Sequence, residues 1–396
     1  MSELYKLPTG WEWKKLGDLA KFQSGGTPKR SNKEYWKGNI PWVKISDIGD
    51  NLYLRETEEF ITKLGLENSS AKLFSKGTIL YTIFATIGKI AILDIDATTN
   101  QAISGIEPNK TVDKLYMYYV LKFITQEILK VSAGVAQNNI NLTKLKNQKI
   151  PLPSLVEQKR IVAKLDSLFE KIDKAIELHQ QNITNANTLM ASTLDKTFKK
   201  LEGEYHFEPL FAVADVSRGK SKHRPRNDKK LFGGQYPFIQ TGDVRNANKY
   251  IVEYTETYND FGLVQSRLWK KGTICMTIAA NIGDVAILGM DSCFPDSIVG
   301  IFSEKNCNEF IYYFLLTLKQ SLESQATTTA QMNINLKVLE SVKIPLPPLP
   351  IQQQTVEYLD SIATKVDKIK QLNEQKLENL KALKASILDK AFRGEL

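Results

Sequence analysis

The stretch IPLPSLVEQKRIVAKLDSLFEKIDKAIELHQQNITNANTLMASTLDKTF, residues 150–198, decides the fold of this 396-residue chain. Its seam residues recur in alternating steps of four and three, which is the spacing of a coiled-coil seam. They are Ile161, Leu165, Leu168, Ile172, Ala175, Ala186, Met190, Thr193 and Thr197. Pro151 and Pro153 end the preceding strand, and Ser154 with Glu157 forms the pattern of a capping box. The sequence therefore predicts a long helix that begins just after Ser154.

The same design returns at residues 344–392, with Pro350 as the predicted first helical residue. The second seam reads Thr355, Leu359, Ile362, Val366, Ile369, Asn373, Lys376, Leu380, Leu383, Ile387 and Ala391. A polar break at His179 and Asn182 in the first seam has its counterpart at the matching place in the second. We therefore predict that the two helices pair, and we expect an antiparallel coiled coil because that sense returns the chain near the second repeat.

Nearly the whole chain is one unit written twice. Residues 77–106 align without gaps to residues 272–301 with half of the positions identical, and residues 40–48 match residues 236–244. Short strands, Gly-rich turns and an aromatic helix make each repeat an α+β globule followed by a long helix. The predicted domains are residues 1–153 and 204–348 for the two globules and residues 154–203 and 349–396 for the two helices.

Composition narrows the class of protein. The net charge is +9 and the pI is about 9.1, which weakly indicates a polyanionic partner. We expect the cysteines, Cys275, Cys293 and Cys307, to be buried thiols with neither a disulfide nor a metal role. No apolar stretch is long enough to span a membrane and no signal region follows Met1, so we expect a cytoplasmic protein.

The two repeats differ most in residues 22–37 and 217–230, so we expect function to lie in these segments. The second segment contains seven cations: Arg218, Lys220, Lys222, Arg224, Arg226, Lys229 and Lys230. It also contains His223 and a single acid, Asp228. Such density repels itself unless an anion is near. The segment is either a solvated, partly disordered loop or a loop that contacts phosphates, and we favour the second interpretation because the chain has two globules.

The first repeat carries a smaller polar set around a double glycine. Its members are Ser24, Gly25, Gly26, Thr27, Lys29, Arg30 and Lys33, with Lys37 beyond them. The backbone amides of Gly25 and Gly26 could approach a phosphate, although a simple turn is an equal alternative.

Base reading needs defined side chains beside these cations. The candidates are Lys44, Ser46 and Asp47 in the first repeat and Gln240, Thr241, Asp243 and Arg245 in the second. The amide-rich loops at residues 137–141 and 331–335 could read adenine or cap the helix that follows them.

Several motifs are absent from the sequence. It contains no phosphate-binding G-x-x-x-x-G-K-[ST] loop, no dinucleotide fingerprint and no Asn-Pro-Pro-aromatic tetrapeptide of amino-methyltransferases. His179, His206 and His223 are too scattered for a metal cluster. No nucleophile, base and orienting residue can be named, so the residues indicate binding rather than catalysis.

The repeated phrases resemble those of the specificity (S) subunit of a Type I restriction-modification system. The phrases are PLPSLVEQKRIVAKLDSLF at 151–169, PLPPLPIQQQTVEYLDSI at 345–362 and the ending KAFRGEL at 390–396. The resemblance covers essentially the whole chain. The second phrase departs from the pattern, because Ile351 and Gln354 stand where the first has Glu157 and Arg160.

The resemblance implies two target-recognition domains, each reading one half of a split sequence in double-stranded DNA. It also implies that the helices bind two modification subunits, which bring S-adenosylmethionine, and that restriction subunits add ATP- and Mg-dependent cleavage. Two alternatives stay open: a stand-alone DNA-modifying enzyme with an unrecognised site, and a coiled-coil scaffold whose globules bind protein.

Overall fold

A computed structural model describes residues 5–49, 51–84, 86–132, 142–279, 282–319 and 336–396. The chain divides into two compact units. The first unit takes the residues up to His179 together with those from Gln375 onward, and the second unit takes Gln180–Glu374. Each unit therefore contains one globule and a part of both long helices.

The first globule is built on a five-stranded sheet. Its elements are β1 (Glu12–Lys15), α1 (Leu16–Leu19), β2 (Ala20–Ser24), β3 (Trp36–Val43), β4 (Tyr53–Leu54), β5 (Glu59–Ile61), α2 (Lys63–Glu67), β6 (Ile79–Thr82), β7 (Ile90–Leu93), β8 (Thr98–Thr99), β9 (Ile103–Pro108), α3 (Lys114–Ser132), α4 (Leu142–Lys146) and β10 (Lys149–Leu152). The sheet order is β2-β9-β6-β7-β4, with β5-β3-β8 and β1-β10 as smaller sheets.

The second globule repeats this plan. Its elements are β11 (Phe207–Pro209), α6 (Leu210–Val213), β12 (Asp215–Arg218), β13 (Phe232–Phe238), α7 (Thr241–Asn246), β14 (Tyr250–Ile251), β15 (Glu256–Tyr258), α8 (Asp260–Val264), β16 (Ile274–Thr277), β17 (Val285–Leu288), β18 (Ile298–Phe302), α9 (Asn308–Thr317), α10 (Leu336–Glu340) and β19 (Lys343–Pro345). The sheet order β12-β18-β16-β17-β14 corresponds strand for strand to the first sheet. The predicted tandem α+β repeat is confirmed.

Both faces of each central sheet are covered. In β6, Ile79 and Tyr81 join the core that contains the aromatic helix α3, while Leu80 joins a separate core on the other face. Strands buried on both faces read as continuous apolar runs rather than alternating ones. This explains why GTILYTI and GTICMTI are so similar in the two repeats.

The long helices are α5 (Leu155–Glu204) and α11 (Leu349–Arg393). The predicted capping box is only half formed. The N–H of Glu157 donates to Ser154 Oγ at 3.4 Å, but both carboxylate oxygens of Glu157 accept from Arg160 at 2.7 Å. The ion pair with Arg160 engages the Glu157 carboxylate oxygens, one of which would accept the backbone N–H of Ser154 in a complete capping box. Helix α11 begins at Leu349, so Pro350 is its second residue rather than the predicted first.

The two helices pair in the antiparallel sense. In the first unit, Lys384 Nζ lies 2.5 Å from Asp173 Oδ1. In the second unit, Asn182 Nδ2 donates to Asn373 Oδ1 at 3.3 Å. As residue numbers rise along α5, the numbers of the α11 residues that they contact fall, so the two helices are antiparallel. The polar breaks of the two seams meet in the Asn182–Asn373 hydrogen bond, and a polar pair of this kind specifies register.

The predicted seam is wrong at three positions in α11, because Lys376 is exposed, Ile369 is 39% exposed and Leu383 is 46% exposed. Other apolar residues of the helices are buried instead, and they face the globules. Phe198 lies 5.4 Å from Phe310 of α9, measured between ring centroids. Each long helix thus packs against its partner and against a globule. The coiled-coil spacing predicts only the contact between helices, so it did not predict the contact with the globule.

Two of the three cysteines are buried as expected, and Cys307 is half-buried. Burial raises the pKa of the Cys293 thiol to about 11. Over the described ranges, no group of acidic, histidine and cysteine side chains is arranged to hold a metal ion. In the same ranges, no helix is long and apolar enough to cross a membrane.

Candidate nucleic-acid interface

The double glycine is a packing feature. The N–H of Gly25 donates to the Ile103 carbonyl at 3.0 Å, and the N–H of Gly26 donates to the Thr99 carbonyl at 2.8 Å. A Cβ on Gly26 would lie 2.3 Å from the carbonyl carbon of Ser70. Both amides already have acceptors, so the hypothesis that they cradle a phosphate is wrong for this conformation. Glycine stands here because the backbone passes close to neighbouring segments.

Arg30 is held rigidly although half of its side chain is exposed. Its guanidinium carbon lies 3.8 Å from the Trp36 ring centroid and 4.7 Å from that of Trp42, and Nη1 donates a hydrogen bond to Glu59 Oε2. The two indoles are themselves fixed, because Trp42 Nε1 donates to the Gly26 carbonyl at 3.0 Å. Cation–π contact and an ion pair together give a preorganised guanidinium.

Lys44 lies beside the same carboxylate. Its Nζ is 2.9 Å from Glu58 and 3.1 Å from Glu59. The Arg30 guanidinium, and after it the Lys44 ammonium, hold the pKa of Glu59 below its usual range. Glu59 therefore stays ionised and holds two cations on one edge of the first globule.

Asp47 has a structural role. Its Oδ2 accepts the backbone N–H of Lys44 at 2.7 Å and the hydroxyl of Thr57 at 2.8 Å. This caps the turn that follows β3. Of the other predicted residues of the first globule, Lys29, Lys33 and Ser46 are exposed, while Ser24 and Thr27 are half-buried.

The second globule has the same backbone arrangement with a different side chain. Gln240 Nε2 donates to Glu256 Oε2 at 2.7 Å, and its backbone N–H donates to Asp243 Oδ2 at 2.8 Å. Asp243 is thus a cap, as Asp47 is. Thr241, half-buried, and Arg245, exposed, lie on α7, the short helix that Gln240 precedes.

The basic segment at residues 217–230 is anchored. Arg224 Nη1 donates to the carbonyls of Ser221 and His223 at 2.7 and 2.8 Å, and Arg226 forms an ion pair with Asp296 at 2.7 Å. These contacts contradict a disordered loop. They also separate two anchoring cations, Arg224 and Arg226, from the other five, although all seven are exposed. The other five are Arg218, Lys220, Lys222, Lys229 and Lys230.

The amide-rich loops at residues 137–141 and 331–335 lie outside the described residues. Contact of any predicted residue with DNA stays a prediction.

The sequence reasoning missed a joint between each globule and its long helix. Buried Gln158 of α5 accepts the N–H of Asp113 at 2.7 Å and donates to the carbonyls of Thr111 and Pro153 at 3.1 and 2.9 Å. We call this set the glutamine joint of the first unit.

The second unit contains the same joint. Buried Gln352 of α11 accepts the N–H of Cys307 at 2.9 Å and donates to Asn306 Oδ1 and the Pro347 carbonyl at 3.2 and 2.9 Å. The signal was available in the sequence, since Gln158 and Gln352 occupy matching positions in the two repeats.

A second matching contact supports each joint. Tyr119 donates to Asp166 in the first unit, and Tyr313 donates to Asp360 in the second. Asp360 also binds Lys249 Nζ at 2.5 Å, which has no counterpart in the first unit because Leu52 stands at the matching position.

Comparison with known proteins defines the class. A family model described as Type I restriction modification DNA specificity domain matches residues 8–186 and 208–381. The chain is 26% identical over 424 residues to the Type I restriction enzyme MjaIX specificity subunit of Methanocaldococcus jannaschii, covering 100% of this chain and 95% of that protein.

Two solved structures share the fold. One chain, from a study of complex assembly and conformational transition of the type I R-M system, superposes with a TM-score of 0.78 at 24% identity, covering 99% of this chain and 100% of that one. The HsdS subunit from Thermoanaerobacter tengcongensis gives a TM-score of 0.56 at 24% identity, covering 100% and 99%.

The chain belongs to the family of Type I restriction-modification DNA specificity domains. It is a Type I specificity subunit with two such domains. The stand-alone enzyme and the protein-binding scaffold are not supported.

Proposed function

We propose that each globule reads one half of a bipartite site in double-stranded DNA, while the paired helices set the gap and bind two modification subunits. The observation that supports this division is the repetition of one scaffold with different side chains at its edge. Lys44 and Gln240 occupy the same backbone position and both reach a carboxylate. Two copies that differ there are suited to two different half-sequences.

The chemistry of modification and cleavage belongs, in this proposal, to partner subunits. S-adenosylmethionine enters with the modification subunits, and ATP and Mg enter with the restriction subunits. A cytoplasmic location, where the DNA lies, stays a prediction.

Assembly with the modification subunits tests whether methyl transfer belongs to those subunits rather than to this chain. We expect purified chain alone to transfer no methyl group from S-adenosylmethionine to DNA, and the reconstituted complex to transfer methyl groups at one bipartite sequence. Methyl transfer by the chain alone, measured with a labelled donor, would contradict the recognition role.

The helices can be tested as a spacer. Asp173 lies opposite Lys384, so a matched insertion adds seven residues after Lys174 and seven between Ala382 and Leu383. The heptad keeps the seam, and each helix grows by about 10 Å. At about 3.4 Å per base pair this corresponds to about three extra pairs in the gap. Insertion after Lys368, which matches Lys174 in sequence, would instead misalign the Asn182–Asn373 pair, because sequence-equivalent points are not opposite in an antiparallel pair.

The readout is selection of bound sites from a random-sequence pool by the complex. We expect both half-sequences to stay unchanged and the preferred gap to lengthen, although DNA twist also rotates the half-sites and shifts the best length. An unchanged gap would show that the helices do not set it.

A further inference from the structure

One backbone position presents a different side chain in each globule, and the strand register and backbone cap around it are the same, although Lys44 Nζ also contacts Glu58 at 2.9 Å. Lys44 stands two residues after Trp42, which pairs with Glu59 across β3 and β5. Gln240 stands two residues after Phe238, which pairs with Glu256 across β13 and β15. The two glutamates therefore occupy equivalent places in the register.

The environment of the position is also shared. The backbone N–H groups of Lys44 and Gln240 donate to Asp47 and Asp243 at 2.7 and 2.8 Å. This cap fixes the direction in which each side chain leaves the backbone. The glutamate then holds the end of that side chain, at 3.1 Å for Lys44 Nζ and 2.7 Å for Gln240 Nε2.

The donors and acceptors that remain differ between the two globules. Lys44 offers only N–H donors, two of which face Glu58 and Glu59, and Arg30 beside it offers more, since Glu59 engages one guanidinium nitrogen. The Gln240 amide has two N–H groups and one oxygen, and Glu256 takes one of the N–H groups. The first globule thus presents donors alone, and the second presents a donor beside an acceptor.

These patterns match two different bases. In the major groove guanine shows two acceptors, N7 and O6, whereas adenine shows the acceptor N7 beside the donor N6. We propose that Lys44, with Arg30, reads a guanine in one half-site and that Gln240 reads an adenine in the other. Glu59 and Glu256 act as positioning residues. This inference rests on the proposed function and names the bases that the two globules take.

The test uses the complex of the full chain with its modification subunits and selection from a random-sequence pool. We expect Lys44→Gln to change guanine to adenine at one position of one half-site, and Gln240→Lys to change adenine to guanine at one position of the other. The remaining positions and the gap should stay as they are. Lys44→Arg keeps the donor character and should retain guanine.

The positioning role has its own variant. Glu256→Gln keeps the size of the side chain but removes the charge that orients the Gln240 amide. We expect adenine to remain preferred while discrimination against other bases falls by roughly tenfold, out of the about 5- to 150-fold that a good bidentate contact gives. Glu253→Gln, an exposed acid between β14 and β15, is the matched control and should leave the base profile unchanged.

The outcomes separate the two levels of the proposal. If the unaltered complex enriches no bipartite sequence, the proposed function fails. If it enriches one but both exchanges leave the profile unchanged, only this inference is overturned. Cytosine at the two positions would also overturn it, since cytosine offers a donor that the glutamates themselves would accept.

Discussion

The glutamine joints and the edges that carry Lys44 and Gln240 differ in how much they vary between the repeats. The glutamine joint has the same residue, two equivalent hydrogen bonds and the same neighbouring Tyr–Asp contact in both units, and only its third bond differs, going to the Thr111 carbonyl in the first and to Asn306 Oδ1 in the second. The edge keeps its backbone and its glutamate but exchanges Lys44 for Gln240. The contacts that hold each globule on its long helix are therefore nearly the same in the two units, whereas the side chain at the edge is not.

The largest effect is expected at the joint. Gln352→Ala leaves the half-buried N–H of Cys307 and the buried carbonyl of Pro347 without their partner. An unsatisfied buried group costs about 1–3 kcal/mol, so we expect the free energy of unfolding of the second unit to fall by about 3 kcal/mol. Calorimetry measures this loss.

The neighbouring Gln353 is exposed and provides the control for this variant. Gln353→Ala should change stability by less than about 0.5 kcal/mol. Equal effects of the two substitutions would mean that the joint does not hold the globule, and Gln158→Ala should repeat the result in the first unit.

A smaller difference is expected between the two Tyr–Asp contacts. Tyr119→Phe and Tyr313→Phe each remove one hydrogen bond to a carboxylate, and we expect a loss of about 1.5 kcal/mol, the low end for a charged acceptor, because both carboxylates reach solvent. Within the described ranges, Lys249 still binds Asp360 after the second change, whereas Asp166 has only Tyr119. We expect Tyr119→Phe to cost more, as measured by denaturant titration. The reverse order would show that Lys249 does not support the joint.

The smallest effect concerns the exposed lysines of the basic segment. Lys220→Ala with Lys222→Ala keeps the anchors Arg224 and Arg226. If both lysines contact phosphates, the slope of log affinity against log salt should fall by up to about 1.8, because each lost contact contributes about 0.9. Sequence preference should not change, since phosphate contacts carry none.

A charge-matched control replaces Lys337 and Lys343, which lie on α10 and β19. The salt slope should be unchanged in this variant. A slope that falls equally in both double variants would show that net charge, rather than the basic segment, determines the salt dependence of DNA binding.

The architecture could be predicted from the sequence because the chain contains two repeats that can be compared with each other. The repeated apolar strands and seams revealed two copies of one design, and the polar break at Asn182 predicted the pairing that the Asn182–Asn373 bond confirms. The seam was wrong at Ile369, Lys376 and Leu383, which are exposed, because periodicity alone does not show which face of a helix a globule will cover.

The site was less predictable because its geometry depends on distant partners. Gly25 and Gly26 looked like a phosphate loop until their amides were seen to donate to Ile103 and Thr99. The stacking of Arg30 on Trp36 and Trp42 depends on the register of a bulged strand, which no local pattern encodes. Composition did indicate that the segment at residues 217–230 is basic. It did not indicate that Arg224 and Arg226 serve as anchors.

The division of the chain has a consequence for synthesis on the ribosome. The second unit is one continuous stretch, Gln180–Glu374, whereas the first is completed by residues that follow it. Leu388, Ala391 and Phe392 are buried in the core of the first unit, and Tyr5 donates to the Phe392 carbonyl across 387 residues of chain. Contacts of such separation form late. Part of the apolar core of the first globule therefore stays uncovered until residues 375–396 have been synthesised. The second globule can finish folding before that point.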